Sequence, residues 1–164
     1  VWSACQAWPR HVLNATHTDV VVGTPPLAFT FGLGGLLLFP MTVGASVYFA
    51  HGPLTPATMV QSMQDAGCTI CYTAPTFYRQ MAALIATHPV SSLRTCVSAG
   101  EALPVATRQL WRANTGIDLL VVTEGAGLPQ QLVHQSGFAM VNVGDDGDVT
   151  YCAFGVRHVR QIRI

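Results

Sequence analysis

Three short loops carry residue types that could handle a small anionic ligand. Thr24-Pro25-Pro26-Leu27-Ala28-Phe29-Thr30-Phe31-Gly32 presents two aromatic rings, Phe29 and Phe31, near backbone that glycine leaves accessible. Ser98-Ala99-Gly100-Glu101-Ala102-Leu103-Pro104 is small enough for a flat ring to lie against the main chain, and the helix that follows offers a positive N-terminus. Thr123-Glu124-Gly125 combines a hydroxyl for a phosphate oxygen with a carboxylate for a magnesium ion. Each loop is weak alone, because small residues precede many helices and a terminal Glu is usually solvated.

Their meaning depends on the elements that carry them. Asp19 to Val22, Ala45 to Phe49, Cys68 to Thr73, Leu93 to Ser98 and Ile117 to Val122 read as strands rich in Val, Ile, Leu and Cys. Between them lie helical stretches: Phe31 to Phe39, Thr55-Pro56 to Ala66, Thr76 to Thr87, and Leu103-Pro104 to Asn114. Ala4 to Leu13 closes another helix. Thr55 is an expected N-cap with Pro56 at the first helical position, and Gly67 and Gly116 are C-terminal stops. Strands alternating with helices of ten or more residues predict an α/β fold, a parallel sheet with flanking helices. In such sheets ligands bind beyond the carboxyl ends of the strands, and all three loops fall there.

Composition narrows the chemistry. The 164 residues carry eight basic side chains, all arginine, and eight acidic ones, for zero net charge. Without lysine these residues complete neither a phosphate-binding P-loop nor a Schiff-base centre. Zero net charge argues against a nucleic-acid binder that neutralises phosphates. Half the residues are hydrophobic, which argues against disorder. The length fits one domain with a substantial core.

From Asp19 to Asp65 no charged residue intervenes. Ala28 to Ala50 is apolar enough to suggest a membrane span, yet Gly32, Gly34, Gly35, Pro40 and Gly44 interrupt it and no basic cluster flanks it. A buried α/β interior is the better reading. No secretion signal is visible, so the five cysteines read as reduced thiols of a cytoplasmic protein. Cys68 and Cys71, three apart on an expected strand, should point to opposite faces and share no metal. The six histidines lack zinc-ligand spacing. Beyond Glu124, Asp145-Asp146-Gly147-Asp148 reads as a turn between β-like runs Ala139 to Val143 and Val149 to Phe154. The last residues alternate Arg157, Arg160 and Arg163 with Val and Ile.

In this order the motifs resemble the adenylate-forming superfamily: acyl- and aryl-CoA synthetases, luciferases and peptide-synthetase adenylation domains. The run Arg10-His11-Val12-Leu13, then Asp19-Val20-Val21, then Pro25 to Gly35, is similar to the benzoate-CoA and 2-aminobenzoate-CoA ligase branch. So are Tyr72-Thr73-Ala74-Pro75-Thr76, Val97 to Pro104, and Trp111 followed by Thr115-Gly116. The resemblance covers Val1 to Glu124 and implies part of an N-terminal AMP-binding domain, with 125–164 a divergent or out-of-family tail. It implies activation of a small carboxylic acid with ATP and Mg2+ to an acyl-adenylate, then transfer to CoA.

Carried over by position, Phe29 lines the acyl or aryl pocket, and Tyr72, Thr73, Ala74 and Pro75 form another wall. Ala99, Gly100, Glu101 and Ala102 lie along the adenine and the substrate ring. Thr123 meets the nucleotide and Glu124 the metal. Phe29 is equally readable as an ordinary core aromatic, and Glu101 as a cap on the next helix. The family's Asp-Gly-x-Gly-Ser-Thr-Glu motif is here Val121-Val122-Thr123-Glu124, a match that needs a short deletion. Its Ser/Thr/Gly-rich phosphate loop, Tyr-x-Thr-Gly-Asp motif and catalytic lysine are not found in these residues. The expectation is therefore a ligase fragment, inactive alone. The alternative is a small non-catalytic module that binds a nucleotide or an aromatic acid.

Overall fold

The computed structural model describes residues 2–122, 139–143 and 149–153. Strands β1 (Val20–Gly23), β2 (Ser46–Tyr48), β3 (Ile70–Thr73), β4 (Thr95–Ala99) and β5 (Leu119–Val122) form one parallel sheet in the order β2-β1-β3-β4-β5. β6 (Ala139–Val143) and β7 (Val149–Ala153) pair antiparallel, as the two β-like runs predict. The acidic turn between them and the arginine-rich end lie outside the described residues.

Strand alternation sends side chains to two separate cores. On one side Val22, Cys71, Cys96 and Leu119 pack against α4 (Pro56–Asp65), α5 (Pro75–Thr87) and α6 (Val105–Thr115) through Met59, Met63, Tyr78, Met81 and Trp111. On the other, Val21, Ile70, Tyr72 and Val97 meet Trp8, Leu13 and Leu36. Full burial of such side chains contributes about 1.5–3 kcal/mol each, so a sheet covered on both faces explains strands that read as unbroken apolar runs.

Local stereochemistry sets the helix ends. Thr55 accepts from the Thr58 N–H at 3.2 Å, and the Thr58 hydroxyl accepts from the Thr55 N–H at 2.9 Å. This reciprocal cap, with Pro56 following, starts α4 where the sequence predicts. Gly116, at φ +72°, ends α6 in a left-handed turn that a Cβ would disfavour.

The apolar run from Ala28 to Ala50 folds as a helix followed by an edge strand. α2 (Thr30–Leu33), a wider π-type turn (Gly34–Leu38) and α3 (Phe39–Val43) run on continuously, longer at both ends than the predicted Phe31 to Phe39. Its glycines serve close approach: a Cβ on Gly35 would sit 2.6 Å from the Tyr72 ring. Among the described residues no helix is long and apolar enough to cross a membrane. The N-terminal helix likewise divides into α1 (Trp2–Ala7) and a π-type turn (Trp8–Val12).

The cysteine geometry corrects the sequence reading. The strand begins only at Ile70, and the Cys68 N–H still donates to the Met63 carbonyl of α4 at 2.9 Å, so Cys68 belongs to the turn that closes that helix and lies outside the strand's alternation. Cys68 and Cys71 therefore enter the same core, joined there by Cys96, which is opposite Cys71 on β4. Burial pushes Cys68 up to about 11, Cys71 to about 12, and Cys96 well above its ordinary value. These are neutral packing thiols.

Candidate functional site

The carboxyl ends of β1, β3, β4 and β5 lie side by side, in a register that pairs Gly23 with Tyr72, Thr73 with Ser98, and Ala99 with Val122. The loops leaving these strands form one rim, and side chains stitch it together. The Thr24 N–H donates to the Tyr72 carbonyl at 3.0 Å, and the Thr24 and Thr73 hydroxyls share a hydrogen bond of 2.5 Å. One loop further along, the Glu101 carboxylate accepts from the Thr76 hydroxyl at 2.5 Å and from the Thr76 N–H at 3.3 Å.

The predicted residues divide by depth. Thr73, Pro75 and Ala99 are buried at the rim, and Ala74 is partly covered. Gly100, Glu101 and Ala102 are exposed above them. Gly100 adopts φ +85° with nothing within 4 Å of where a Cβ would lie, so its backbone is open to a flat group. Tyr72 is not an open wall. Its ring is buried against Gly35, and its hydroxyl accepts from the Trp8 indole N–H at 3.2 Å. Burial drives its phenol far above the ordinary value, against the smaller opposing pull of Trp8.

Phe29 and Phe31 take different positions. Phe29 is 64% exposed at the residue preceding α2, so it belongs to neither core. Phe31 is partly buried and packs on Tyr72 with ring centroids 5.6 Å apart, tilted by 60°. The rim thus has an exposed aromatic at its lip and a tilted aromatic pair beneath. Thr123 and Glu124 lie outside the described residues.

Sequence reasoning left three rim residues without a role. Thr24 and Thr76 acquire theirs only when β1, β3 and β4 come together. Ser98 is fully buried beside Thr73, and its hydroxyl finds no partner among the described residues. A hydroxyl within a predicted strand was the available signal, since buried polar groups normally bond.

Apart from Glu101, the rim side chains are small, aromatic or hydroxyl-bearing. Arg94 and Arg108 are each committed to an aspartate, Asp19 and Asp118, and Arg10 donates to the Thr42 carbonyl at 2.7 Å. Among the described residues no group of three His, Cys, Asp or Glu side chains could hold a metal ion.

A parallel α/β sheet whose small, glycine-bearing loops converge at its carboxyl edge defines a ligand-binding domain of the doubly flanked type. Residues 1–130 match the family described as AMP-binding enzyme, and the chain belongs to that family. The chain is 34% identical over 129 residues to benzoate–CoA ligase of Thauera aromatica, covering 77% of this chain and 24% of that protein. Among solved structures it resembles the anthranilate CoA ligase AuaEII in complex with anthranoyl-AMP, with TM-score 0.68 and 38% identity, covering 74% of this chain and 24% of that one. A benzoate CoA ligase from Burkholderia xenovorans gives TM-score 0.68 at 26% identity, covering 76% and 26%. The α/β architecture is thus that of the adenylate-forming N-terminal domain. The chain spans about a quarter of the length of these relatives.

Proposed function

We propose that this chain forms the acid- and adenine-facing part of an AMP-forming carboxylate–CoA ligase acting on a small aromatic acid. The observation that carries this reading is the stitched rim. Thr24, Thr73, Ala74, Ala99 and Gly100, drawn from three separate motifs, meet at one end of the sheet. The acid's ring would lie near Phe29, Phe31 and the Thr73–Pro75 segment, and the adenine along Ala99, Gly100 and Ala102. ATP, Mg2+ and CoA are the co-reactants of the whole enzyme, with Thr123 facing the nucleotide and Glu124 the magnesium. A cytoplasmic location accords with reduced cysteines.

The division proposed is a partial AMP-binding domain over residues 1–124 and a divergent tail over 125–164. The 164 residues alone are proposed to be inactive. Acyl-adenylate formation needs fixed cations on the phosphates where charge develops, and lysine is absent here. That same absence supports a second reading, a non-catalytic module that binds an aromatic acid or a nucleotide.

Two measurements separate these readings. Benzoate-dependent ATP–pyrophosphate exchange is expected to be absent for the 164-residue chain; exchange by this chain would overturn the claim of inactivity. Backbone NMR titrations with AMP and with benzoate should move the amides of Thr73, Ala99 and Gly100. Saturable shifts at millimolar ligand fit a ligase segment, whereas micromolar affinity would favour the binding module. No shift at any of the three would sink the site assignment.

A further inference from the structure

Ala74, which precedes α5, has no side-chain oxygen, so α5 begins without a cap of its own. The missing acceptor arrives from a different loop. Glu101 Oε2 takes the Thr76 hydroxyl at 2.5 Å and the Thr76 N–H at 3.3 Å. Thr76 is the second residue of α5, and its amide is among those that a helix leaves unpaired. A carboxylate at that end is also favoured by the helix dipole. The bonding runs to α5, the preceding helix, and α6 starts from Pro104 without a side-chain cap. The cap on the following helix expected of Glu101 thereby gives way to a cap on the preceding one.

We propose that Glu101 is a positioning residue. It anchors the loop from Ala99 to Ala102 onto α5 through Thr76, and so holds the open Gly100 backbone at the rim. Both anchoring bonds fall on Oε2, so the carboxylate acts through Thr76 in this role. The loop needs an anchor: Gly100, Glu101 and Ala102 are exposed, and nothing lies within 4 Å of where a Cβ on Gly100 would be. The inference rests on the rim being the ligand end of the sheet, as proposed above, but its test does not depend on catalysis.

The test uses the 164-residue chain and its Glu101→Ala, Glu101→Gln and Thr76→Val variants, with backbone order parameters from NMR relaxation at Gly100, Glu101 and Ala102. The original chain should show rigid values of about 0.85, and Glu101→Ala should fall below about 0.6. Glu101→Gln keeps a carbonyl oxygen for both Thr76 donors and should restore rigidity. Thr76→Val, which keeps the N–H and loses the hydroxyl, should loosen the same three residues. AMP titrated into each chain should bind about fivefold more weakly in Glu101→Ala than in Glu101→Gln, the equivalent of one lost cap. Unchanged order parameters in Glu101→Ala, or failure of Glu101→Gln to restore them, would overturn the positioning role. Equal AMP affinity in those two variants would do the same. If AMP shifts no chain at all, the ligand-site reading fails, and the order parameters still decide whether Glu101 anchors the loop.

Discussion

Arg94 grips Asp19 across 75 positions of sequence through two parallel bonds, Nε to Oδ1 at 3.0 Å and Nη2 to Oδ2 at 2.7 Å. The pair lies at the end of the sheet opposite the rim, where β1 and β4 begin. Asp19 also accepts from the Thr69 hydroxyl at 2.7 Å and the Thr16 N–H at 2.8 Å, and Arg94 donates to the carbonyls of Leu13 and Asn14. One buried carboxylate and one arginine thus tie the end of the first helix to the starts of three strands. Two-pronged geometry and charge make such bonds stronger than neutral ones.

Replacing Asp19 with Ala should therefore cost about 3 kcal/mol, because it strands the donors that meet there. The Asp19 side chain is only 5% exposed, whereas Arg94 is 38% exposed and can reach water. Arg94→Met leaves that buried carboxylate without its cation, so it should cost at least as much as Asp19→Ala, after which the arginine can turn to water. Urea denaturation of the two variants checks both the size and the order.

Acid should weaken the fold through the same group. Burial pushes the Asp19 carboxyl up, but bonds from Arg94, Thr69 and Thr16 outweigh it and bring the value from 3.8 to about 2. A carboxyl lowered in the folded state stabilises it above the unfolded value. That stability disappears as pH falls from about 4 through about 2. Asp118, lowered chiefly by its bonds to Arg108, acts with the same sign. In urea melts across this range, the gap between the original chain and Asp19→Asn should close as pH drops; a constant gap would refute the linkage.

Gly35→Ala should destabilise although alanine is the better helix former by about 1 kcal/mol. The added methyl would meet a Tyr72 ring that is itself buried and bonded to Trp8. Overpacking of this kind costs about 1–3 kcal/mol, so a net loss of about 1 kcal/mol is expected. A denaturation midpoint equal to or above that of the original chain would show that the ring moves freely.

Cys71 and Cys96 should resist alkylation by iodoacetamide at pH 8 in the folded chain and react readily in guanidinium chloride. Both are buried, and burial holds their thiols in the neutral form. Peptide mapping by mass spectrometry reads each position separately. Native labelling at the rate of an exposed thiol would mean that this core opens.

Tyr78→Phe should cost about 1 kcal/mol. Its hydroxyl lies 2.8 Å from the Cys71 carbonyl and 3.2 Å from that of Val97, bridging β3 and β4 from below. The ring would keep its edge contact with Trp111, 4.7 Å between centroids, so only the hydrogen bond is lost. Thermal melts compared with Trp111→Phe would separate the bond from the packing.

Much of the candidate site's placement is legible in the sequence. The loop residues Thr73, Ala74, Ala99 and Gly100 gather at the strand ends because a parallel sheet puts all its βα loops on one side. Phe29 was less legible, since an aromatic beside glycine serves a core or a lip equally well. Only the start of α2 at Thr30 leaves it exposed and turns Phe31 onto Tyr72. Cys68 misled because the turn that closes α4 reaches it, through its N–H to the Met63 carbonyl, while its composition matches the strand that starts at Ile70.

What the sequence determined alone is what short-range stereochemistry controls. Thr55-Pro56 opens α4, Gly116 closes α6, and runs of Val, Ile and Cys between helices commit the chain to a parallel sheet. Each follows from backbone geometry and burial within a few residues. Only the tertiary structure decided that Asp19 meets Arg94, that Glu101 caps α5 from the next loop, and that Trp8 reaches the Tyr72 hydroxyl. Those contacts depend on the order β2-β1-β3-β4-β5. Strand order is a balance of many small packing energies over the whole domain, and no local pattern records it.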